Sequence, residues 1–292
     1  MGSPVGKLGC AYSMTPPDAR LGGEAFWLDV ADGCLAVERV GHGPAVLLLH
    51  GWTLDRRMWT MQAQALAARF TLIAIDRRGF GQSTAAPDRA REVDDLTRLA
   101  DQLDLASVHL VGMSQAGATA MQFAQHHRDR VATLVLQGIS LAGIPDHANA
   151  SDRIPLADYA DMVRNDQLDV MKRHWADHAL MAGLEAESAR IGAAMLADYD
   201  GRDLLAGPAG PSARLDEVAA LPMPVLAMTG CADTPWRRDV TRAIARTAPL
   251  GQARFIRDAG HLCNLSHPVE FNAALSAFLA RPLQPVPDAI ND

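Results

Sequence analysis

The sequence predicts an α/β fold, in which a mostly parallel β-sheet is covered by helices on both faces. Short apolar runs of strand length alternate with helical patterns along most of the chain, as they do in folds of this class. Several of these runs end in glycine-containing turns, and the alternation is interrupted once by a long stretch without a strand-like run. At 292 residues the chain is long enough to bury one full core.

The first half of the chain contains six predicted strands. Residues 26–30 and 35–40 flank the pair Asp32-Gly33, which is typical of a hairpin turn. The next four runs are apolar almost throughout, as expected for strands that are buried on both faces. They are residues 45–49, 71–75, 107–112 and 131–136. Helices are predicted between them at residues 56–69, 90–103 and 115–127.

The second half begins with the interruption. Residues 141–221 contain no strand pattern, and three helices are predicted there, at 156–164, 167–180 and 186–199. The alternation then resumes with strands 224–229 and 253–257 and helices 236–248 and 268–280. The predicted organisation is a flexible arm (1–24), a core (25–140 and 222–281), a helical segment after the sixth strand (141–221) and a tail (282–292).

The most informative motif joins the strand at 107–112 to the helix at 115–127. The turn Gly112-Met113-Ser114-Gln115-Ala116 has small residues around one serine, as in a G-x-S-x-G nucleophile elbow, with alanine in place of the last glycine. Such a turn exposes the serine hydroxyl at the carboxyl end of a strand. The alternative role for Ser114 is to cap the helix that follows, because serine favours that position.

Four other segments carry candidate functional residues. Residues 45–52 end in His50-Gly51-Trp52, residues 72–83 form a strand with a glycine-rich turn, and two late segments end in Asp233 and His261. Together with the serine turn, these segments resemble the α/β-hydrolase family over about residues 26–279. The resemblance implies an α/β-hydrolase fold, in which the helical segment forms a cap over the serine.

The resemblance also implies the roles of individual residues. Ser114 would be the nucleophile, His261 its general base, and Asp233 the group that orients the imidazole. The backbone N–H groups of Trp52 and Gln115 would form the oxyanion hole. Asp233 could instead cap the helix that begins near Pro235.

Three further side chains are assigned tentative roles. His50 is predicted to brace the oxyanion loop rather than to act as a second base. Met113, beside the serine, and Trp175, in the helical segment, are candidates for lining the substrate pocket. The alternative for Trp175 is ordinary packing within the helical segment.

Composition excludes several classes of function. The net charge is −7 and no basic tract is present, so nucleic acid is not expected as a partner. The four cysteines form no C-x-x-C pair, which argues against a zinc or redox motif and favours reduced thiols in a cytoplasmic protein. No apolar run approaches the ~20 residues that span a bilayer, so no membrane partner is expected. We expect neither a metal nor an organic cofactor.

The substrate is predicted only by class. Residues 50–59 and 76–79 resemble the branch of the family that contains enol-lactonases, small carboxylesterases and cofactor-free haloperoxidases. We therefore expect a small-molecule substrate, either a carboxylic ester or a lactone, that is cleaved through an acyl-serine intermediate. Two alternatives stay open: a hydrolase of carbon–carbon bonds in diketones, and a non-catalytic binding protein. The oligomeric state is open as well, a homo-oligomer included.

Overall fold

The computed structural model describes residues 15–145, 153–207 and 210–280. Eight strands form one sheet in the order β1-β2-β4-β3-β5-β6-β7-β8. The strands are β1 (Glu24–Val30), β2 (Gly33–Gly41), β3 (Ala45–Leu49), β4 (Thr71–Ile75), β5 (Val108–Met113), β6 (Val131–Gln137), β7 (Val225–Gly230) and β8 (Gly251–Ile256). Most of the predicted arm and all of the predicted tail lie outside the described residues.

The sheet is mostly parallel, as predicted. Strand β1 pairs with β2, and β2 with β4, in antiparallel fashion, while the other five pairs are parallel. Every residue of β5 and of β7 is buried. These central strands therefore carry continuous apolar runs, because helices cover both of their faces.

Helices connect the strands in the predicted order. They are α1 (Thr60–Leu66), α2 (Glu92–Gln102), α3 (Ala116–His126), α4 (Leu156–Arg164), α5 (Leu168–Ala176), α6 (Ala186–Asp198), α7 (Arg202–Leu205), α8 (Leu215–Val218), α9 (Pro235–Thr247), α10 (Cys263–Ser266) and α11 (Pro268–Leu279). Two predicted helices are shorter than expected. The first opens as a 3₁₀ turn (Arg56–Trp59), and the one predicted to end at Leu180 ends at Ala176, before a separate 3₁₀ turn (Ala179–Met181).

Two apolar layers hold the sheet between the helices. Successive side chains of a strand point to opposite faces, so Leu47 of β3 packs in one layer and Leu48 in the other. The first layer includes side chains from α2, α3 and α9, and the second includes side chains from α1 and α11. The carboxyl ends of the parallel strands consequently meet at one fixed edge, where an α/β fold places its sites.

Helices α4 to α8 lie between β6 and β7, and we call residues 153–207 and 210–218 the helical insertion. Its buried aromatic side chains Tyr159, Trp175 and Tyr199 pack with Trp52 and Phe80, which come from loops after β3 and β4. The insertion therefore packs against loops at the edge of the sheet where the predicted site residues lie.

The cysteines differ from the expectation at one position. Cys34 is disulfide-bonded, whereas Cys231 and Cys263 carry free thiols. The prediction of reduced thiols is therefore wrong for Cys34. The spacing of cysteines along a sequence does not show which of them the fold brings within bonding distance. Among the described helices, none combines the length and the apolar character needed to cross a membrane.

Candidate active site

Ser114 lies at the sharp turn between β5 and α3. Its backbone has φ 51°, a left-handed conformation that is strained for any residue except glycine. The turn is held by backbone hydrogen bonds, because Ser114 N–H donates to the carbonyl of Gln137 at 2.8 Å and Gly117 N–H donates to the carbonyl of Ser114 at 3.0 Å. The side chain of Ser114 is only partly buried, which leaves its hydroxyl accessible.

The glycines around this turn allow the close approach of neighbouring elements. A Cβ at Gly112 would lie 2.7 Å from the Cβ of Ala120, and one at Gly117 would lie 2.2 Å from Cγ2 of Ile139. Ala116 is fully buried without such a conflict. The elbow therefore tolerates alanine at its last position and needs the glycine one residue later.

Asp233 and His261 form a buried pair at the ends of β7 and β8. Nδ1 of His261 lies 2.9 Å from Oδ2 of Asp233, and both side chains are almost fully buried. The carboxylate also accepts hydrogen bonds from the hydroxyl of Thr229 and from the N–H of Thr234, the latter at 2.8 Å. Burial alone would raise the pKa of Asp233, but the charge of His261 and these hydrogen bonds hold it below its usual value.

The end of β6 connects the serine to the histidine, a role that sequence reasoning did not assign. The carbonyl of Gln137 accepts the N–H of Ser114, while its side-chain Nε2 donates to the carbonyl of His261 at 3.3 Å and to Oδ1 of Asn264 at 2.9 Å. Gly138 has φ 57°, and a Cβ there would lie 2.7 Å from Cε1 of His261. A glycine directly after a predicted strand, as in Gln137-Gly138, is the sequence signal for this role. Only glycine at position 138 lets the imidazole of His261 approach the backbone so closely.

The predicted nucleophile and base have no competing hydrogen bond among the described residues. Within the part of the chain that the structure describes, neither Oγ of Ser114 nor Nε2 of His261 makes a hydrogen bond. A serine that capped α3 would accept a backbone N–H through this oxygen, and no such bond is present among those residues. Catalytic hydrogen bonds of this kind commonly tighten only when substrate binds.

His50 lies under the loop after β3 and is neutral. Its Nε2 accepts the N–H of Arg77 at 2.9 Å, so the proton is on Nδ1, which contacts the carbonyl of Gly51 at 2.8 Å. Burial, and next the charge of Arg77, lower the pKa of His50 from 6.5 to about 3. The guanidinium of Arg77 donates to the carbonyl of His50 and to Oε1 of Gln115, both at 3.0 Å. This network joins the loop after β3 to the start of α3.

The two predicted oxyanion donors lie on either side of that network. The N–H groups of Trp52 and Gln115 have no acceptor among residues 15–145, 153–207 and 210–280. Trp52 is followed by Thr53, which has φ 61°, an unusual value for a β-branched residue. The Thr53 hydroxyl donates to the carbonyl of Trp52 at 2.7 Å and accepts the indole N–H of Trp175 at 2.8 Å. The helical insertion therefore helps to hold the strained loop.

A cavity of about 700 Å³ opens between this loop and the helical insertion. It is lined by Trp52, Arg78, Phe80, Pro87, Asp88, Arg89, Gln115, Leu156, Ala157, Ala160, Asp161, Arg164, Asp203, Leu204, Ala206 and Gly207. Met113 and Trp175 are not among these lining residues. Met113 is buried beneath the loop, where a Cβ at Gly51 would lie 2.5 Å from its sulfur, and Trp175 packs edge-on against Trp52. Their role in a substrate pocket stays a prediction.

In the described part of the chain, acidic, histidine and cysteine side chains do not gather into a metal-binding group. Among the described residues, no set of three such side chains is placed to hold a metal ion. The histidine at the site, His261, is already engaged by Asp233 through Nδ1.

Comparison with known proteins gives consistent matches over most of the chain. The family model described as the alpha/beta hydrolase fold matches residues 44–268. A pimeloyl-[acyl-carrier protein] methyl ester esterase from Aeromonas hydrophila is 27% identical over 256 residues, which cover 84% of this chain and 99% of that protein.

Solved structures agree with this match. A thermophilic esterase from Thermogutta terrifontis, solved with malate bound, is 30% identical with a TM-score of 0.70 and covers 85% of this chain and 93% of its own. The enol-lactonase from Burkholderia xenovorans has a TM-score of 0.72 at 22% identity, covering 87% of this chain and 100% of its own. At that identity the second likeness concerns the fold alone.

Proposed function

Because the chain belongs to the α/β-hydrolase family, we propose that it hydrolyses ester bonds, cleaving a carboxylic ester or lactone through an acyl-serine intermediate. The observation that carries the proposal is the buried Asp233–His261 pair, which lies, like the strained Ser114, at the carboxyl ends of the parallel strands. The matches to esterases from Aeromonas hydrophila and Thermogutta terrifontis support the substrate class.

The first half of the reaction transfers the acyl group to the serine. As the Oγ–carbon bond forms at the ester carbonyl, Nε2 of His261 takes the serine proton. The imidazolium carries a positive charge, which the ionised carboxylate of Asp233 stabilises. When the carbonyl re-forms, the ester C–O bond breaks and His261 gives its proton to the leaving alkoxide. The low pKa of Asp233 favours the ionised form that this role requires.

The second half returns the enzyme to its starting state. A water molecule gives a proton to His261 and attacks the acyl carbon, and the bond to Oγ of Ser114 then breaks as the oxygen regains that proton. Both tetrahedral intermediates carry a negative oxygen. We assign the N–H groups of Trp52 and Gln115 as its donors, since neither has another acceptor among the described residues.

The helical insertion is proposed as a cap over this site. Its Trp175 and Asp203 hydrogen-bond to Thr53 and Trp52, and a cavity separates it from the sheet edge. The corresponding domain division is the predicted one, with a core of residues 25–140 and 222–281 and a cap of residues 141–221. We assign no separate role to Met113 and Trp175 beyond lining or supporting the pocket.

A rate panel on purified protein tests the proposal. It uses short and long p-nitrophenyl esters, several lactones and one ring-fission diketone, with Ser114→Ala and the exposed Ser107→Ala as matched serine variants. We expect turnover of an ester or lactone that falls by about 10⁴-fold or more in Ser114→Ala and is unchanged in Ser107→Ala.

Three other outcomes would contradict the proposal. Ester hydrolysis that survives in Ser114→Ala would exclude the serine mechanism. Turnover of the diketone alone would indicate carbon–carbon cleavage. No turnover, together with no labelling of Ser114 by a fluorophosphonate, would indicate a binding protein on a hydrolase fold.

A cytoplasmic location is the prediction from the sequence, and we keep it as a proposal although one structural feature opposes it. The disulfide at Cys34 argues against it, because disulfides persist mainly in oxidising compartments. Fractionation of cells that make the full chain decides the matter, and recovery outside the cytoplasmic fraction would overturn this location.

A further inference from the structure

Nearly all the charged groups that line the 700 Å³ cavity are already paired. Arg78 forms a buried ion pair with Asp95 and a second ion pair with the more exposed Asp32. At the opposite wall, the carboxylate of Asp203 accepts hydrogen bonds from Trp52 and from Tyr199. These side chains have no capacity left for a strong interaction with a charged ligand.

The same holds for the carboxylates nearer the cavity rim. Asp88 pairs with Arg91 at 3.1 Å, and Asp161 pairs with Arg164 at 2.6 Å. With Asp203, these are the three acidic residues that line the cavity, and each has a donor or a cation. None of them is available to neutralise a further cation.

Arg89 is the exception. Within the described residues its guanidinium forms no ion pair, and its one hydrogen bond runs from Nη2 to the neutral carbonyl of Pro211 at 2.8 Å. Its Nε is buried without a partner, and Nη1 contacts no acceptor there. Burial, and next the charge of Arg77, lower the pKa of Arg89. A partly buried cation with one neutral acceptor is costly, and an anion in the cavity would compensate it.

We propose that Arg89 binds a carboxylate of the substrate, so that the favoured substrate is an ester or lactone with a second, free carboxylate. A guanidinium presents parallel N–H donors whose spacing matches the two oxygens of a carboxylate. The cavity also contains the assigned oxyanion residues Trp52 and Gln115, together with apolar lining residues such as Phe80 and Leu204 that suit a hydrocarbon chain between the two ends. This inference rests on the proposed function.

The test compares two methyl esters of equal chain length, monomethyl adipate and methyl hexanoate. In the wild-type protein we expect a higher kcat/KM for monomethyl adipate. Arg89→Met should lower that kcat/KM by about 10- to 100-fold, the usual contribution of a hydrogen-bonded ion pair, and leave methyl hexanoate within about twofold. Arg89→Lys should retain part of the preference. The matched control Arg98→Met, at an exposed arginine of α2 outside the cavity lining, should leave both rates unchanged.

The outcomes separate this inference from the proposed function. Equal losses on both esters in Arg89→Met would overturn the subsite, because they would assign Arg89 only to holding Pro211. The same conclusion follows if the preference for the acid survives intact. No Ser114-dependent turnover of either ester would instead remove the proposed function. Calorimetric binding of adipate to wild type and to Arg89→Met then tests the subsite alone, and equal or undetectable binding would overturn it.

A second measurement does not depend on the folding of any variant. Adipate and the neutral adipamide are compared as inhibitors of methyl hexanoate hydrolysis by the wild-type enzyme. Competitive inhibition that is at least tenfold stronger for adipate, and that weakens as salt is added, supports the subsite. Equal inhibition by the two compounds overturns it.

Discussion

The indole Nε1 of Trp52 donates a hydrogen bond to the carboxylate of Asp203 at 2.7 Å, across 151 residues of sequence. The loop that carries a proposed oxyanion donor is therefore tied directly to the helical insertion. Tyr199 donates to the other oxygen of the same carboxylate. Burial raises the pKa of Asp203, although both hydrogen bonds act in the opposite direction. The two donors thus matter for keeping this carboxylate ionised.

Asp203→Asn tests whether this tie positions the loop. One oxygen is replaced by an NH₂ group, which cannot accept, so either Trp52 or Tyr199 loses its acceptor. We expect kcat/KM for an ester to fall by about tenfold and amide exchange in α7 to become faster, since a buried donor is left unsatisfied. Asp200→Asn, three residues earlier but exposed and paired with Arg202, is the control. Unchanged kinetics in Asp203→Asn would show that the loop holds its shape alone.

Thr229→Val tests the support of the Asp233–His261 pair. The Thr229 hydroxyl donates to the carboxylate, so its loss should move the pKa of Asp233 up toward its ordinary value. We expect a loss of about 1 kcal/mol in the free energy of unfolding and a roughly tenfold lower kcat. The contribution of Asp233 to stability is present above its ordinary pKa and is lost as pH falls, and the variant should make that contribution smaller.

Thr133→Val is the matched control for this variant. Thr133 is also a buried threonine in a central strand, and its hydroxyl pairs with His109. A similar loss of stability with unchanged kcat is expected, measured by denaturant unfolding and by ester hydrolysis. Equal effects of the two variants on kcat would remove any special role of Thr229.

Ser114→Gly and Ser114→Ala separate activity from strain. Both variants lack the hydroxyl and should be inactive. At φ 51° only glycine is free of the steric penalty, so Ser114→Gly should be more stable than Ser114→Ala by about 1 kcal/mol. Denaturant midpoints of the two proteins measure the difference. A less stable glycine variant would mean that the left-handed turn stores no strain.

His50 should make stability depend on pH in the acid range. Its folded-state pKa of about 3 lies below the ordinary value of 6.5, so the unfolded chain binds the extra proton between these two pH values. Stability from this group is complete above pH 6.5 and falls by up to about 1.4 kcal/mol per pH unit below it. His50→Gln keeps an acceptor for Arg77 and should flatten the slope between pH 6.5 and 5.

His109 also contributes in the same pH range. Burial also lowers the pKa of His109, so a residual slope is expected in His50→Gln. Unfolding curves at half-unit intervals of pH for wild type and variant give the difference. Identical slopes would show that folding does not lower the pKa of His50.

The sequence was sufficient to predict the strands and the contact between Asp233 and His261, whereas the joint action of these two residues with Ser114 stays a prediction. Apolar runs reflect the burial of strands, and small residues reflect the steric limits of tight turns. Both depend on neighbouring residues and can therefore be inferred from the sequence. The same local reasoning placed His50 under the loop after β3. The end of the helix predicted at 167–180 was wrong, because the chain turns at Asp177 and His178 within an otherwise helical pattern.

Contacts between distant segments could not be predicted. Asp203 and Trp52 are brought together only by the docking of the helical insertion, and Arg89 meets Pro211 for the same reason. Neither Asp203 nor Arg89 lies in a sequence motif or a periodic pattern that would indicate its contact. The disulfide at Cys34 belongs to the same class of feature, since it depends on three-dimensional proximity rather than on spacing.

The order of the strands makes Ser114 a reporter of folding. Ser114, Asp233 and His261 follow β5, β7 and β8, which lie in the sheet as β5-β6-β7-β8. Parallel strands pair only after the chain between them has crossed over, and such long-range pairing is slow. Under the proposed mechanism, a chain that has collapsed but has not yet added β7 and β8 would leave Ser114 unactivated. Labelling of Ser114 by pulses of a fluorophosphonate during refolding would therefore report when β7 and β8 join the sheet, and not when the chain first collapses.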